Sequence, residues 1–380
     1  MSANKTRVLI VVSNLEYGGA QRQIVELVNN IDSTRYLVHI ASLSDYIPLA
    51  AQLRPEIPVH IVLKKSRFDF SVVFKLVRLI RSHQFQILHS YLFDAEIAAR
   101  LAGFLSSARV IGGERNTDYH IKSVQLLAYR LTRRLFDVII ANSHSGAEFN
   151  SDVLGIPARK YRVIYNGVDD SRFRPRDAME VRNSLGIAQG SPVLGVFASF
   201  KEQKNHRFLF EALLKIRPDY PNLRVLLVGD MLYGGLHGSD RYHAEILAMI
   251  ENSSLKDICL LLGNRDDVES LYPACDFTVL PSLFEGTPNV ILESMSCGVP
   301  IIATRVSDND KIVIDGETGL LVDLDDVDGL VCALRTLLDN PEKRSDMGER
   351  ARRRVLDHFS SKKLAENTSR VYDELVADSA

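Results

Sequence analysis

Cysteine is scarce, with four in 380 residues. Cys259, Cys275, Cys297 and Cys332 lack the close spacing of a metal site or a disulfide framework. They read as small core residues of a reducing compartment. Long apolar runs are missing too. The longest are strand-like, as in Val8-Leu9-Ile10-Val11-Val12, far short of the ~20 residues that a membrane-spanning helix needs. Lys5 and Arg7 precede only that short run before Ser13 and Asn14, too little for a signal-peptide core. A cytoplasmic protein is therefore expected. No low-complexity segment or short repeat occurs, and no block of like charge suggests a nucleic-acid arm.

What is present is ordinary in amount and uneven in placement. Apolar residues make up 46% and charged residues 25%, enough for a sizeable core. At ~150 residues per domain, the length favours two domains. The net charge of -2 hides an asymmetry. Residues 1–170 hold 21 Lys+Arg against 15 Asp+Glu, and the remainder 25 against 33. A basic first half and an acidic second half bear on partners and say little about fold.

Short β-branched runs alternate with amphipathic stretches along the chain. Strands are expected at 7–12, 37–43, 59–63, 86–89, 109–112, 138–141 and 162–165, with helices at 21–30, 71–82, 95–104 and 123–135. The pattern restarts with strands at 193–198, 224–228, 258–262, 277–280, 301–303 and 320–322, and helices at 205–216, 242–252, 290–296 and 327–338. Residues 341–380 read as two helices parted near Ser360 and Ser361. Such alternation, with strands apolar throughout, predicts α/β architecture: two Rossmann-like, doubly wound parallel-sheet domains. The first covers 1–170 and the second 171–360, with 361–380 packing back on the first. Arg172-Phe173-Arg174-Pro175-Arg176 reads as the linker.

Ligands of open α/β sheets bind beyond the strand C-termini, so four loops matter. Gly18 and Gly19 follow the first strand and allow close backbone approach, though not as a G-x-G-x-x-G fingerprint. Lys201 and Lys204 follow the first strand of the second domain and suit a diphosphate. The third loop is Pro281-Ser282-Leu283-Phe284-Glu285-Gly286-Thr287-Pro288-Asn289-Val290, leading to Glu293. Thr287 suits an N-cap, Pro288 the first helical position, and Gly298 a left-handed cap at the far end. The free amides there make an anion site, and a carboxylate such as Glu293 can accept both vicinal hydroxyls of a ribose. Glu285 is placed to accept from sugar hydroxyls. The fourth loop, from Gly229-Asp230 through Gly234-Gly235 to His243, reads either as a site-lining loop or as an ordinary turn.

These residues carry a resemblance. The stretch from Glu285 to Glu293, continued by Ser296-Cys297-Gly298-Val299-Pro300, resembles the family 4 retaining glycosyltransferases of the GT-B fold, also called glycosyl transferases group 1. So do Lys204-Asn205-His206, Gly263-Asn264-Arg265-Asp266-Asp267-Val268 and Asp315-Gly316-Glu317-Thr318-Gly319. In the first half the marks are Gly18-Gly19 with Arg22, Ala141-Asn142-Ser143 and the run from Val163 to Asp169. The resemblance implies that Lys204 binds the donor diphosphate and Glu293 the ribose. Glu285 would contact the donor sugar, and the backbone of Gly286, Thr287, Pro288, Asn289 and Val290 the phosphates or sugar. Arg265 would lie near the nucleobase, and Gly18 and Gly19 would close over the diphosphate. Two departures stand out. Ala198-Ser199-Phe200 replaces the family's Gly-Arg-Leu, so Lys201 is expected to stand in for the missing arginine. Arg115-Asn116 occupies the place of a catalytic histidine, with His89 and His120 as nearby candidates of more ordinary structural kind.

The expected reaction is transfer of a hexosyl or N-acetylhexosaminyl group from a nucleotide-diphosphate sugar to a hydroxyl of a saccharide or lipid-linked acceptor, in cell-envelope polysaccharide or glycolipid synthesis. Lys201, Lys204 and helix amides would absorb the leaving group's charge, with Arg115 and Asn116 nearby and no metal or cofactor. Asp308-Asn309-Asp310 resembles a metal-binding D-x-D but reads as solvated. The acceptor side would be basic: Lys64, Lys65, Arg67, Lys75, Arg78 and Arg81 interleave with Phe68, Phe70, Val73, Phe74 and Val77, joined by Arg130, Arg133 and Arg134. Such a face can lie peripherally on an anionic membrane or be a solvated helix edge. Two other readings stay open: a nucleotide-sugar epimerase of the same fold, and a non-catalytic sugar-nucleotide-binding partner of another transferase.

Overall fold

The computed structural model describes residues 5–66, 69–115, 121–231 and 238–377. The chain divides into two compact units. One comprises 1–167 with 361–380, the other 168–360.

The first unit is built on seven strands: β1 (Thr6–Val12), β2 (Tyr36–Ser42), β3 (Val59–Ile61), β4 (Ile87–Tyr91), β5 (Arg109–Glu114), β6 (Val138–Ala141) and β7 (Tyr161–Val163). They lie in the order β3-β2-β1-β4-β5-β6-β7, and every pairing is parallel. Val8 of β1 faces Val38 on one side and Ile87 on the other. Because successive side chains point to opposite faces, β1 feeds two cores. Val8, Ile10 and Val12 join one, Leu9 and Val11 the other. Helices α1 (Gly19–Asn30), α2 (Ser71–His83), α3 (Phe93–Ser106), α4 (Ser123–Thr132) and α5 (His144–Leu154) cover the sheet. Helix α5 escapes the hydrophobic pattern because its sequence is mostly polar. Ser143 starts it, its hydroxyl accepting from the Gly146 amide at 3.0 Å.

The second unit has six strands: β8 (Val193–Phe197), β9 (Arg224–Val228), β10 (Cys259–Gly263), β11 (Phe277–Leu280), β12 (Ile301–Thr304) and β13 (Gly319–Val322). Their order is β10-β9-β8-β11-β12-β13, again parallel. Its helices are α6 (Met179–Ser184), α7 (His206–Ile216), α8 (Ser239–Glu251), α9 (Val268–Leu271), α10 (Asn289–Ser296), α11 (Asn309–Ile312), α12 (Val327–Leu338) and α13 (Pro341–His358). In each unit the strand order reverses once, between β1 and β4 and between β8 and β11. Those switch points leave a crevice beyond the strand C-termini.

Helix α14 (Ser361–Ala377) belongs to the first unit. Leu364, Ala365, Val371, Tyr372 and Leu375 enter the core that Val8 and Ile10 share. The Tyr36 hydroxyl donates to Asp373 at 2.5 Å, and Ser361 donates to Glu26 at 2.6 Å.

Three expectations change. Arg172–Arg176 is not a linker, since the chain passes between units at Gly167–Val168 and at Ser360–Ser361. Phe173 is buried and Arg172 pairs with Glu269 at 2.9 Å, which anchors that segment in the second unit. Asp308 and Asn309 are buried, not solvated. The turn after β12 folds inward, and the Asn309 amide donates to the Thr304 carbonyl at 2.9 Å. Of the cysteines, Cys275 and Cys297 are core residues, Cys259 is half-buried and Cys332 is exposed.

Candidate functional site

The second unit's switch point is flanked by the loops after β8 and β11. The first carries Lys201 and Lys204, the second Glu285. The two loops are stitched together by main-chain contacts. The Leu283 amide donates to the Gln203 carbonyl at 2.8 Å, and the Gln203 side chain donates to the Phe284 carbonyl at 2.7 Å. Asn205 closes the first loop at φ 49°, a left-handed conformation that asparagine tolerates better than most residues. A third loop, after β12, supports the second: Ser307 accepts from the Glu285 amide at 3.0 Å, and Thr304 donates to the Ser282 carbonyl at 2.5 Å.

This framework sets Lys204 Nζ 2.5 Å from Glu285 Oε1, with both side chains largely buried. A charged pair so shielded from water keeps its orientation far better than a surface pair. Lys201 lies beside it, half-buried. Burial and the neighbouring Lys204 pull its ammonium below the usual lysine range, while Glu285 opposes them. Two cations compete for one carboxylate, so the site has appetite for a further anion. Behind them the buried His206 is pressed to about 3 by burial and then by Lys204 and His243, which makes it a neutral ring stacked on Phe200.

Helix α10 follows the Glu285 loop. It begins at Asn289 with Pro288 as the cap residue, one position later than expected, and no side chain caps it. Pro288 sits in extended backbone (ψ 115°), and so ends the loop instead of opening the helix. Thr287 is buried within the loop. The far end closes as a Schellman motif: the Gly298 amide reaches Met295 O at 3.0 Å, and Val299 reaches Ser294 O at 3.1 Å. Gly298 supplies the left-handed φ of 74°. Glu293 is buried on this helix and accepts from the Tyr272 hydroxyl at 2.7 Å. Tyr272 stacks on Phe197 of β8, with centroids 3.8 Å apart.

The structure therefore brings Lys201, Lys204, Glu285 and its following loop together at one switch point, with Glu293 on the adjoining helix. Arg265 makes a two-pronged pair with Asp267 at 2.6 and 2.7 Å. Gln203, Ser307 and Tyr272 were missed by sequence reasoning. The first two act through main-chain contacts, which no spacing reveals, and Tyr272 lies in a helical turn before β11.

The remaining expected residues belong to the first unit. Gly18 caps α1 in extended backbone and Gly19 opens the helix, both beyond β1. A Cβ at Gly18 would stand 2.3 Å from Gln21 Oε1. Arg115 follows β5, donating to Asn166 at 3.2 Å and to the Tyr91 hydroxyl at 3.3 Å. Asn116, His120, Gly234, Gly235, Arg67 and Phe68 lie outside the described residues. His89 is fully buried and 2.8 Å from the Tyr372 hydroxyl, which ties β4 to α14.

Between α2, α3 and α4 the first unit has a groove of about 850 Å³. Lys64, Lys65 and Lys122 line it together with Asp69, Asp94, Phe70, Phe93 and Leu131, and Lys64 pairs with Asp94 at 2.6 Å. Phe70 and Phe74 are exposed, whereas Val73 and Val77 point into the core. Arg130 and Arg133 do not face it as free charges. They donate to the Val153 and Gly155 carbonyls at the end of α5. Among the described residues no helix is long and apolar enough to cross a membrane.

Comparison with known proteins decides the family. Residues 17–172 match the model for Glycosyltransferase Family 4, and residues 177–354 the model for Glycosyl transferases group 1. The chain belongs to the family 4 glycosyltransferases of the GT-B fold. Relatives of this family 4 enzyme include transferases named for lipopolysaccharide-core and diphosphoundecaprenol-linked sugars. N-acetyl-alpha-D-glucosaminyl L-malate synthase of Bacillus anthracis is 28% identical over 317 residues, covering 82% of this chain and 80% of the relative. The UDP-Gal:alpha-D-GlcNAc-diphosphoundecaprenol alpha-1,3-galactosyltransferase of Escherichia coli is 28% identical over 327 residues, covering 82% and 81%. HepE of Anabaena, solved in complex with UDP, has the same fold. Its TM-score is 0.85 at 22% identity, covering 97% of this chain and 100% of that one.

Proposed function

We propose that this glycosyltransferase moves a hexosyl or N-acetylhexosaminyl group, with retention, from a nucleotide-diphosphate sugar to a hydroxyl of a saccharide or lipid-linked acceptor. The observation that carries the reading is the Lys204–Glu285 pair with Lys201 beside it, at the second unit's switch point. When the sugar–phosphate bond breaks, negative charge grows on the diphosphate and the sugar becomes oxocarbenium-like. Lys201 and Lys204 supply countercharge at a site already oriented and partly dry, so little reorganisation is needed. Glu285 holds Lys204 in place and offers a carboxylate to donor-sugar hydroxyls. The leaving phosphate itself takes the acceptor's proton, and the two lysines provide the charge that a metal ion provides in other transferases. Glu293 holds the ribose, with Tyr272 fixing its carboxylate.

The acceptor side rests on the first unit's groove, where lysines border apolar side chains. That combination suits an anionic head on a lipid tail, and an exposed Phe70 and Phe74 suit peripheral contact with an anionic membrane. The E. coli relative, by its name, uses a diphosphoundecaprenol-linked acceptor.

A thermal-shift panel of nucleotide sugars without added metal tests the donor site. One UDP- or GDP-sugar should raise the melting temperature, and both Glu293→Ala and Lys204→Ala should lose that rise. An unchanged rise in both variants would sink the assignment. Donor turnover that needs no acceptor and yields an epimer would favour the epimerase reading. Nucleotide binding with neither hydrolysis nor transfer would favour a non-catalytic partner.

A further inference from the structure

Three histidines distant in sequence meet at the outer edge of the first unit. His39 lies on β2, His60 on the edge strand β3, and His83 ends α2. His60 pairs in register with Ala41, so His39 is its diagonal neighbour across the two strands. The three ring centroids form a near-equilateral triangle of 5.2, 5.4 and 5.3 Å. One ring nitrogen from each lies within 4.8 Å of the other two, and His39 Nδ1 and His60 Nε2 are 2.9 Å apart.

The surroundings prepare these rings as ligands. His83 Nδ1 is 3.3 Å from the Leu79 carbonyl and 2.9 Å from the Ser82 hydroxyl. A proton on Nδ1 donated to that carbonyl leaves the lone pair on Nε2, the usual outer support of a metal-bound histidine. Arg7 donates to the His83 carbonyl at 2.7 Å, and Phe85 packs against His39 and His83.

We propose that His39, His60 and His83 bind a divalent transition cation of the zinc class, with a fourth position open to water. Three imidazole nitrogens without an oxygen ligand suit Zn²⁺, Co²⁺, Ni²⁺ or Cu²⁺, not Mg²⁺ or Ca²⁺. Tetrahedral zinc at ~2.0–2.1 Å places its nitrogens roughly 3.3 Å apart, so no pair has to close by more than about 1.5 Å. His39 is buried while His60 and His83 are half-buried, which leaves a side for water. The ion joins a three-residue edge strand to β2 and to the end of α2. It involves none of the candidate donor-site residues.

The test uses the untagged full chain, stripped with chelator and titrated with ZnCl₂ in a calorimeter. One ion per chain is expected. A hundredfold excess over Kd should raise the first transition by about 5–10 °C. The Co²⁺ form should show the visible absorption of four-coordinate cobalt. His60→Gln and His83→Gln, checked for folding by circular dichroism, should each weaken binding at least tenfold. Absence of Zn²⁺ binding by the parent chain would overturn the proposal. So would binding unchanged in whichever variants fold.

Discussion

At the scale of single residues, the donor-site chemistry and the buried polar network of the first unit obey one rule: a charge out of water keeps its state only if a partner holds it. Lys204 and Glu285 do this for each other. Glu114, at the end of β5, has no ion-pair partner among the described residues, and Arg100 only partly offsets its burial. It accepts from Asn150 at 2.6 Å and from the Tyr161 hydroxyl at 3.3 Å. Burial first, and the nearby Glu96 second, push its carboxyl up to about 8. The folded state therefore holds a proton on Glu114 that the unfolded chain releases above its ordinary value of 4.5. The stabilising effect of that proton is full in acid and is lost as pH rises from about 4.5 to about 8. The slope is at most about 1.4 kcal/mol per pH unit. Glu114→Gln keeps the shape without the titration, so its melting temperature should fall less than the parent's between pH 5 and pH 8. Parallel melting curves at the two pH values check this. The grouping of Lys201, Lys204 and Glu285 was legible because each loop compresses its polar residues into a few positions after a strand. The histidine trio was not. Its members are 21 and 23 residues apart, and only strand pairing and the length of α2 bring them together.

At the scale of elements, central strands such as β8, β11 and β12 were easy to read because each is a short, largely apolar run buried on both faces. The start of α10 was harder. Threonine followed by proline signals a helix opening, yet here the signal marks the end of a buried loop, with Ser307 and Thr304 fixing the path. The other end of α10 depends on a helix remote in sequence. Gly348 of α13 packs against the Gly298 turn so closely that a Cβ would stand 2.0 Å from the Gly298 carbonyl oxygen. Arg352 of α13 also donates to the Ser296 carbonyl, and Ser296 donates to Phe173 O at 2.6 Å. Alanine normally favours a helix over glycine, but the gain of ~1 kcal/mol cannot offset a clash with main chain. Gly348→Ala should destabilise the second unit by about 1–3 kcal/mol. It should also weaken the donor-induced thermal shift, because α10 carries Glu293. Denaturant titration with and without the nucleotide sugar reads both effects.

At the scale of the whole molecule, the two units were legible as a pattern that restarts, but the crossing points were not. A polar, proline-containing stretch resembles a linker, yet Phe173 buries its ring and fastens that stretch to the second unit. The return crossing gives α14 to the first unit, where Tyr372 is fully buried against His89 and Tyr36. Tyr372→Ala should cost about 3–5 kcal/mol, as for other large aromatic truncations in a core. The loss should be confined to the first unit. Hydrogen exchange should quicken in β1, β2 and β4 while β8 through β13 keep their protection. Equal loss in both sheets would show that the helix serves more than one core.

Because β1 and α14 complete the same core, the second unit is an insertion within the first. A ribosome releases all of residues 168–360 before it makes Leu364, Tyr372 and Leu375. The second unit can thus fold as a finished body during synthesis, while the earlier-made unit waits with an apolar groove uncovered. Birth order and folding order run in opposite directions, and that waiting interval is when the nascent chain most needs protection from aggregation.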